Sequence, residues 1–121
     1  EEYGLPTDVI KGGVPMSGLF DMEPIVKCFV NEWMQMSTVD GVRNSPVRNL
    51  PASGCPLIVA VGGDETDEFR RQSKDFSDLW KSQGWAADYL ECQGIHHFNA
   101  PLELCNSDSE LTQKLLAMIG Q

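Results

Sequence analysis

The chain has 121 residues, of which 18 are acidic and 9 basic, giving a net charge of −9, with 41% hydrophobic and 22% charged residues. This composition fits one ordinary soluble globular domain with a modest core and excludes disordered and collagen-like chains. A pI near 4.5 excludes nucleic-acid and anionic-membrane binding, since both need clustered positive charge. Glu1 to Leu5 show neither the basic nor the apolar region of a signal peptide, and the longest apolar run, Leu57 to Val61, is far too short to cross a bilayer. A cytoplasmic location is therefore expected. The four cysteines, Cys28, Cys55, Cys92 and Cys105, contain no C-x-x-C pair and read as mostly buried free thiols in a reducing compartment.

In chain order, Gly13 to Ser17 is a short apolar run between glycines, a weak strand because Pro15 cannot donate to a ladder. Met22 to about Asn31 reads as a helix with Ile25, Phe29 and Val30 apolar. Val39 to Cys55 contains Pro46 and Pro51, with Pro56 directly after it, and reads as an excursion with one helical turn. Leu57 to Val61 is continuous, β-branched and uncharged, as for a strand buried on both faces of a parallel sheet. Thr66 is expected to cap a helix beginning at Asp67, with Asp67 and Glu68 in its first turn and Phe69, Phe76, Leu79 and Trp80 on one face, ended by Gly84. Ala86 to Cys92 partly alternates and reads as a strand near a sheet edge. The last helix follows a capping box, Ser107-x-x-Glu110, and is expected to bury Leu111, Leu115, Met118 and Ile119.

Strands alternating with crossover helices predict a parallel α/β sheet, whose ligands bind beyond the carboxyl ends of the strands. Three loops lie there, after Ser17, Val61 and Cys92. The second, Gly62 to Glu68, holds four carboxylates in five residues, Asp64, Glu65, Asp67 and Glu68. They read as helix capping and a solvated turn, or as one acid aimed at a histidine. A divalent-metal site from Asp64, Glu65, His96 and His97 is a weaker alternative, because the carboxylates lack EF-hand spacing. The third loop holds the only two histidines, His96 and His97. An acid after one strand and a histidine after the next is the back half of a Ser…Asp/Glu…His order. The front half has no counterpart: no Gly-x-Ser-x-Gly elbow occurs, and Ser17 in Met16-Ser17-Gly18 reads as an ordinary strand-end residue.

Four segments carry a resemblance. Ser17-Gly18-Leu19-Phe20-Asp21-Met22-Glu23-Pro24 resembles the S-G-L-F-D-L-x-P segment of α/β-hydrolases related to arylformamidase, and Asn44-Ser45-Pro46 resembles their N-S-P stop. Val61 to Ser73 is similar to their acid loop, in which G-x-x-[DE] precedes an E-F-x-x-Q-S helix start, and His97-Phe98 matches their catalytic H-F pair. The resemblance runs from about Leu5 to Ile119. It implies the carboxyl-terminal part of an α/β-hydrolase fold: three parallel strands with flanking helices, and a cap-like excursion at about 19–55.

Carried over by position, the resemblance puts the acid on Glu65, with Asp64 as a competitor because the family often has Asp there. The base falls on His97, and His96 is left without a catalytic role. The serine and oxyanion loop would lie upstream of Glu1, so that the chain alone is inactive. The implied reaction is cleavage of a small ester or aryl-formamide such as N-formylkynurenine, with no metal or organic cofactor, and with specificity from the cap near Phe20 to Trp33. A sheet cut before its first strand here would self-associate through the exposed edge. The alternative is a non-catalytic α/β interaction module with a relic site.

Overall fold

The structure, a computed structural model, describes residues 4–6 and 8–120; residues 1–3, part of the stretch read for a signal peptide, lie outside it. Its two strands are β1 (Leu57–Gly62) and β2 (Ala87–Cys92), joined by helix α4 (Asp67–Ser82). They pair in parallel, in register from Leu57 opposite Ala87 to Gly62 opposite Cys92. Helices α1 (Glu23–Val26), α2 (Asn31–Met34) and α3 (Thr38–Arg43) precede β1, and α5 (Glu110–Ile119) closes the chain. Among the described residues no helix is long and apolar enough to cross a membrane.

Three strands are expected, and among the described residues two form. The segment 13–17 instead touches β1 through two isolated parallel bridges, Gly13 with Leu57 and Met16 with Ala60. The cause is visible in its hydrogen bonds. Gly13 N donates to Pro56 O, Ile58 N to Gly13 O, Ala60 N to Pro15 O and Ser17 N to Ala60 O, at 2.8–3.0 Å. The rung between them, from residue 15 to the Ile58 carbonyl, is missing because proline has no N–H. The segment therefore lies beside β1 as a third, interrupted row.

The apolar run of β1 is buried on both faces, as its composition predicts. Val59 packs with Phe20, Phe76 and Trp80 on one side. Ile58 and Ala60 pack with Leu90 and Leu111 on the other. Helix α4 covers the first face and α5 the second, the layering of an α/β sheet. Phe20 stacks on Phe76 at 4.1 Å with the rings 7° apart, which ties the excursion to α4.

Several local expectations are corrected. The helix predicted over Met22 to Asn31 is split into α1 and α2. Neither piece has a buried residue, so no packed face holds them as one helix. Asn31 bridges the break, its side-chain amide donating to Val26 O and Met36 O while its oxygen accepts from Met36 N. The excursion carries more helix than one turn: α3 starts at a capping box formed by Ser37 and Asp40, and a 3₁₀ turn follows at Pro46–Arg48. Helix α5 is capped by Ser109, not Ser107. The Ser109 hydroxyl accepts from Thr112 N and donates to Glu103 O, which fixes the helix start two residues later than the capping box predicts. Ile119 is 69% exposed rather than buried. The cysteines are free thiols, but Cys28, Cys55 and Cys92 are only half-buried and Cys105 is exposed.

Candidate active site

The carboxyl ends of β1 and β2 deliver the two loops singled out in the sequence. Gly63 N donates to Cys92 O at 2.8 Å and Asp64 N to Ile95 O at 3.0 Å, so the acid loop and the histidine loop are stitched backbone to backbone. Gly62 permits this approach. A Cβ there would lie 2.3 Å from the Ile95 carbonyl oxygen, closer than any side chain can stand. The glycine that opens the G-x-x-[DE] pattern is thus required by contact distance.

Glu65 turns back under this junction. Its side chain has no exposed surface, whereas that of His97 is 46% exposed. Oε1 accepts from Gly62 N at 2.8 Å and also from the Ser17 hydroxyl. Oε2 lies 2.8 Å from His97 Nδ1. Burial alone works against the ionised carboxyl, but the hydrogen bonds from Ser17, the Gly62 amide and His97 together hold it below its ordinary range. An ionised carboxylate only accepts, so Nδ1 is the donor in this contact. The ring is flanked by Phe69 of α4 at 4.8 Å and by Phe98 at 5.5 Å, centroid to centroid.

Of the four clustered carboxylates, only Glu65 reaches a histidine. Asp67 and Glu68 stand in the dipole-favoured first turn of α4 and pair with Arg70 and Arg71 one turn along, while the expected cap, Thr66, makes no side-chain capping hydrogen bond. Asp64 is exposed. His96 is also exposed, and its Nδ1 accepts from Phe98 N at 3.2 Å. Among the described residues no group of three or more His, Cys, Asp or Glu side chains converges as a metal site would require, so the arrangement read from Asp64, Glu65, His96 and His97 does not form.

The pair opens onto a depression of about 350 Å³ lined by Asp64, Glu65, Thr66, Phe69, His96, His97 and Phe98. Phe98 is 85% exposed and forms an apolar wall beside the imidazole. No residue of the segment Phe20 to Trp33 lines it, contrary to the expectation that this segment shapes specificity. Phe20 is spent on the core, and Trp33 is 73% exposed.

Three buried polar contacts are not legible in the sequence. Ser17, taken as an ordinary strand-end residue, is buried, has φ +48° and binds Glu65. Gln72 accepts the amides of Phe20 and Asp21, both at 2.8 Å, and donates to Asp21 O and Glu68 Oε1. Ser45, fully buried, accepts from Met22 N at 2.9 Å and donates to Gly41 O at 2.7 Å. The signal for each was its place in a quoted motif; its partner lies too far along the chain to be read.

Comparison with known proteins shows what the chain is similar to. No family model matches the chain. It is 36% identical over 121 residues to a kynurenine formamidase of Salmo salar and 33% identical over 117 residues to one of Danio rerio. These alignments cover 95% and 93% of the chain but only 41% and 40% of the relatives, so the chain spans about two-fifths of their length. Among solved structures, it is similar to a protein described as a thioesterase from Silicibacter, with a TM-score of 0.76 and 28% identity over 93% of this chain and 42% of the other. Its fold is also that of carboxyl esterase 2 from Tuber melanosporum, with a TM-score of 0.62 and 17% identity over 91% of this chain and 42% of that one. Over about 120 residues the chain is therefore related to arylformamidase- and esterase-like α/β-hydrolases, and its fold is the corresponding part of theirs.

Proposed function

We propose that this chain supplies the acid and the base of a serine hydrolase that cleaves a small ester or aryl-formamide. The observation that carries the reading is the contact between the buried, ionised Glu65 and His97 Nδ1 at 2.8 Å, at the carboxyl end of a parallel sheet. Glu65 fixes the tautomer and stabilises the imidazolium. Nε2 then accepts the proton of an attacking serine and returns it to the leaving group. The serine and the oxyanion donors come from a segment outside these residues, since no Gly-x-Ser-x-Gly occurs in them. The apolar wall of Phe69 and Phe98 suits an aryl or alkyl group, and the kynurenine formamidases among the relatives favour an N-formylkynurenine-like substrate.

Two experiments test this. A fluorophosphonate probe should leave the mass of the 121-residue chain unchanged and should label the longer protein that contains the missing segment. A covalent adduct on the short chain would overturn the division of labour. In the longer protein, His97→Ala should lower kcat by about 10⁶-fold and Glu65→Gln by about 10⁴-fold. His96→Ala and Asp64→Asn should leave most of the activity. Equal losses from His96→Ala and His97→Ala would refute the assignment of the base.

A further inference from the structure

We infer that Ser17 is a positioning residue for the Glu65–His97 pair: its hydroxyl holds the carboxylate by the oxygen that faces away from the imidazole. The inference rests on the proposed acid–base reading and extends it to a third stretch of chain, 48 residues before Glu65.

The first argument is geometric. Glu65 has two oxygens with separate duties. Oε1 accepts from both the Ser17 hydroxyl and Gly62 N, and Oε2 faces His97 Nδ1. A glutamate carries one more rotatable bond than an aspartate, so its carboxylate needs more than a single donor to stay in plane with the ring. The Gly62 amide comes from the same turn as Glu65 and constrains it only locally. Ser17 comes from the row on the other side of β1, where Ser17 N is anchored to Ala60 O at 2.8 Å. Its hydroxyl is therefore a fixed donor, and with it the carboxylate is held from two directions.

The second argument is conformational. Ser17 lies at φ +48°, a left-handed conformation that costs an L residue energy and that glycine adopts freely. The backbone here favours glycine, yet the residue carries a hydroxyl, is 8% exposed, and spends that hydroxyl on the acid. Strain kept at a polar side chain that touches the site is what a positioning role predicts. The titratable groups around Glu65 are His97 in direct contact, Asp64 and His96 at the rim of the depression, and the Cys92 thiol at longer range.

The test reads the pair without requiring catalysis. The ¹³C signal of the Glu65 carboxyl and the ¹⁵N signals of the His97 ring are followed against pH in the chain and in its Ser17→Ala and Ser17→Gly variants. Ser17→Gly removes the hydroxyl and relieves the backbone, so it folds even where Ser17→Ala does not. Both should move the Glu65 titration upward, because a donor to the ionised form is lost, and both should shift the His97 ring signals. A Ser17→Gly chain with an unchanged Glu65 titration would overturn the proposal and leave Ser17 a purely structural residue. In the unsubstituted chain, a slowly exchanging Ser17 hydroxyl proton correlated with the Glu65 carboxyl carbon is expected, and its absence would also overturn the proposal. In the longer protein the same variants should lower kcat roughly tenfold with KM unchanged, the loss of one charge-assisted hydrogen bond. If the titration moves but His97→Ala leaves hydrolysis intact, the functional reading fails while the role of Ser17 stands.

Discussion

Replacing Gly62 by alanine is the sharpest test of how the two site loops are joined. The new Cβ would sit 2.3 Å from Ile95 O, 2.9 Å from Ile95 C and 3.0 Å from Glu65 Oε1. Relief needs a movement of about 1 Å, because carbon and oxygen do not approach below about 3.2 Å without strain. The obstacle is backbone, not the flexible end of a side chain, so the histidine loop itself must retreat. Gly62 does not have the positive φ of Gly84 or Gly94, so the cost is steric rather than conformational. Overpacking of this kind costs about 1–3 kcal/mol, which for a domain of this size lowers Tm by roughly 4–12 °C. Retreat of residue 95 also lengthens the Asp64 N to Ile95 O bond and draws His97 from Glu65. Calorimetry should show the lower Tm, and ¹⁵N spectra should show the His97 ring signals displaced. Gly63→Ala is the control: its nearest contacts are 3.2–3.4 Å, and its effect should be smaller. A Gly62→Ala chain that melts within a degree of the unsubstituted one, with unmoved His97 signals, would refute the close-approach argument.

Glu65 also makes stability depend on pH. Its folded pKa is depressed below the ordinary 4.5, so its contribution is complete above that value and is lost as pH falls through the folded pKa. Melting temperature should therefore hold from neutrality to about pH 5 and fall in more acid solution, with a shallower fall in Glu65→Gln; equal acid slopes would refute the linkage. We also propose that the chain self-associates through the row at 13–17, beside which Val9 and Ile10 are 51% and 68% exposed. Sedimentation should show mass rising with concentration, and a clean monomer at high concentration would remove the idea.

What was legible in the sequence follows from the range of the forces involved. Strand β1 and helix α4 can be read because their apolar patterns are periodic: a run buried on both faces, and a stripe from Phe69 to Trp80 of which Phe76 and Trp80 are buried and Phe69 and Leu79 half-buried. The third row could be read only in part, since one proline deletes one rung and breaks a continuous strand into bridges. The start of α5 was misplaced because Ser107 and Ser109 are both competent caps. The choice was made by the Glu103 carbonyl, a contact outside the helix. The resemblance puts the acid on Glu65 with Asp64 as a competitor, and nothing local to two adjacent carboxylates distinguishes them. In the structure the turn returns residue 65, not 64, onto the Gly62 amide. Nothing local marks the Ser17 hydroxyl, whose partner is 48 residues away.

The motifs that carried the resemblance divide in the structure into chemistry and clamps, and this division is itself testable. Gln72 and Ser45 never approach His97, yet each takes the amides or carbonyls of the excursion out of competition with water. Gln72 alone accepts two amides of residues 20 and 21. Removing it in Gln72→Ala leaves both without acceptors, at a cost of roughly 2–4 kcal/mol. Ser45→Ala orphans the Met22 amide and the Gly41 carbonyl, at about 1–3 kcal/mol. His97→Ala removes a side chain that is half in solvent and should change stability by well under either amount. Hydrogen exchange at the amides of Phe20, Asp21 and Met22 should accelerate in the two clamp variants and stay slow in His97→Ala. If His97→Ala loosened those amides as much as Gln72→Ala does, the histidine loop would be part of the scaffold, and the separation of clamp from chemistry would fail.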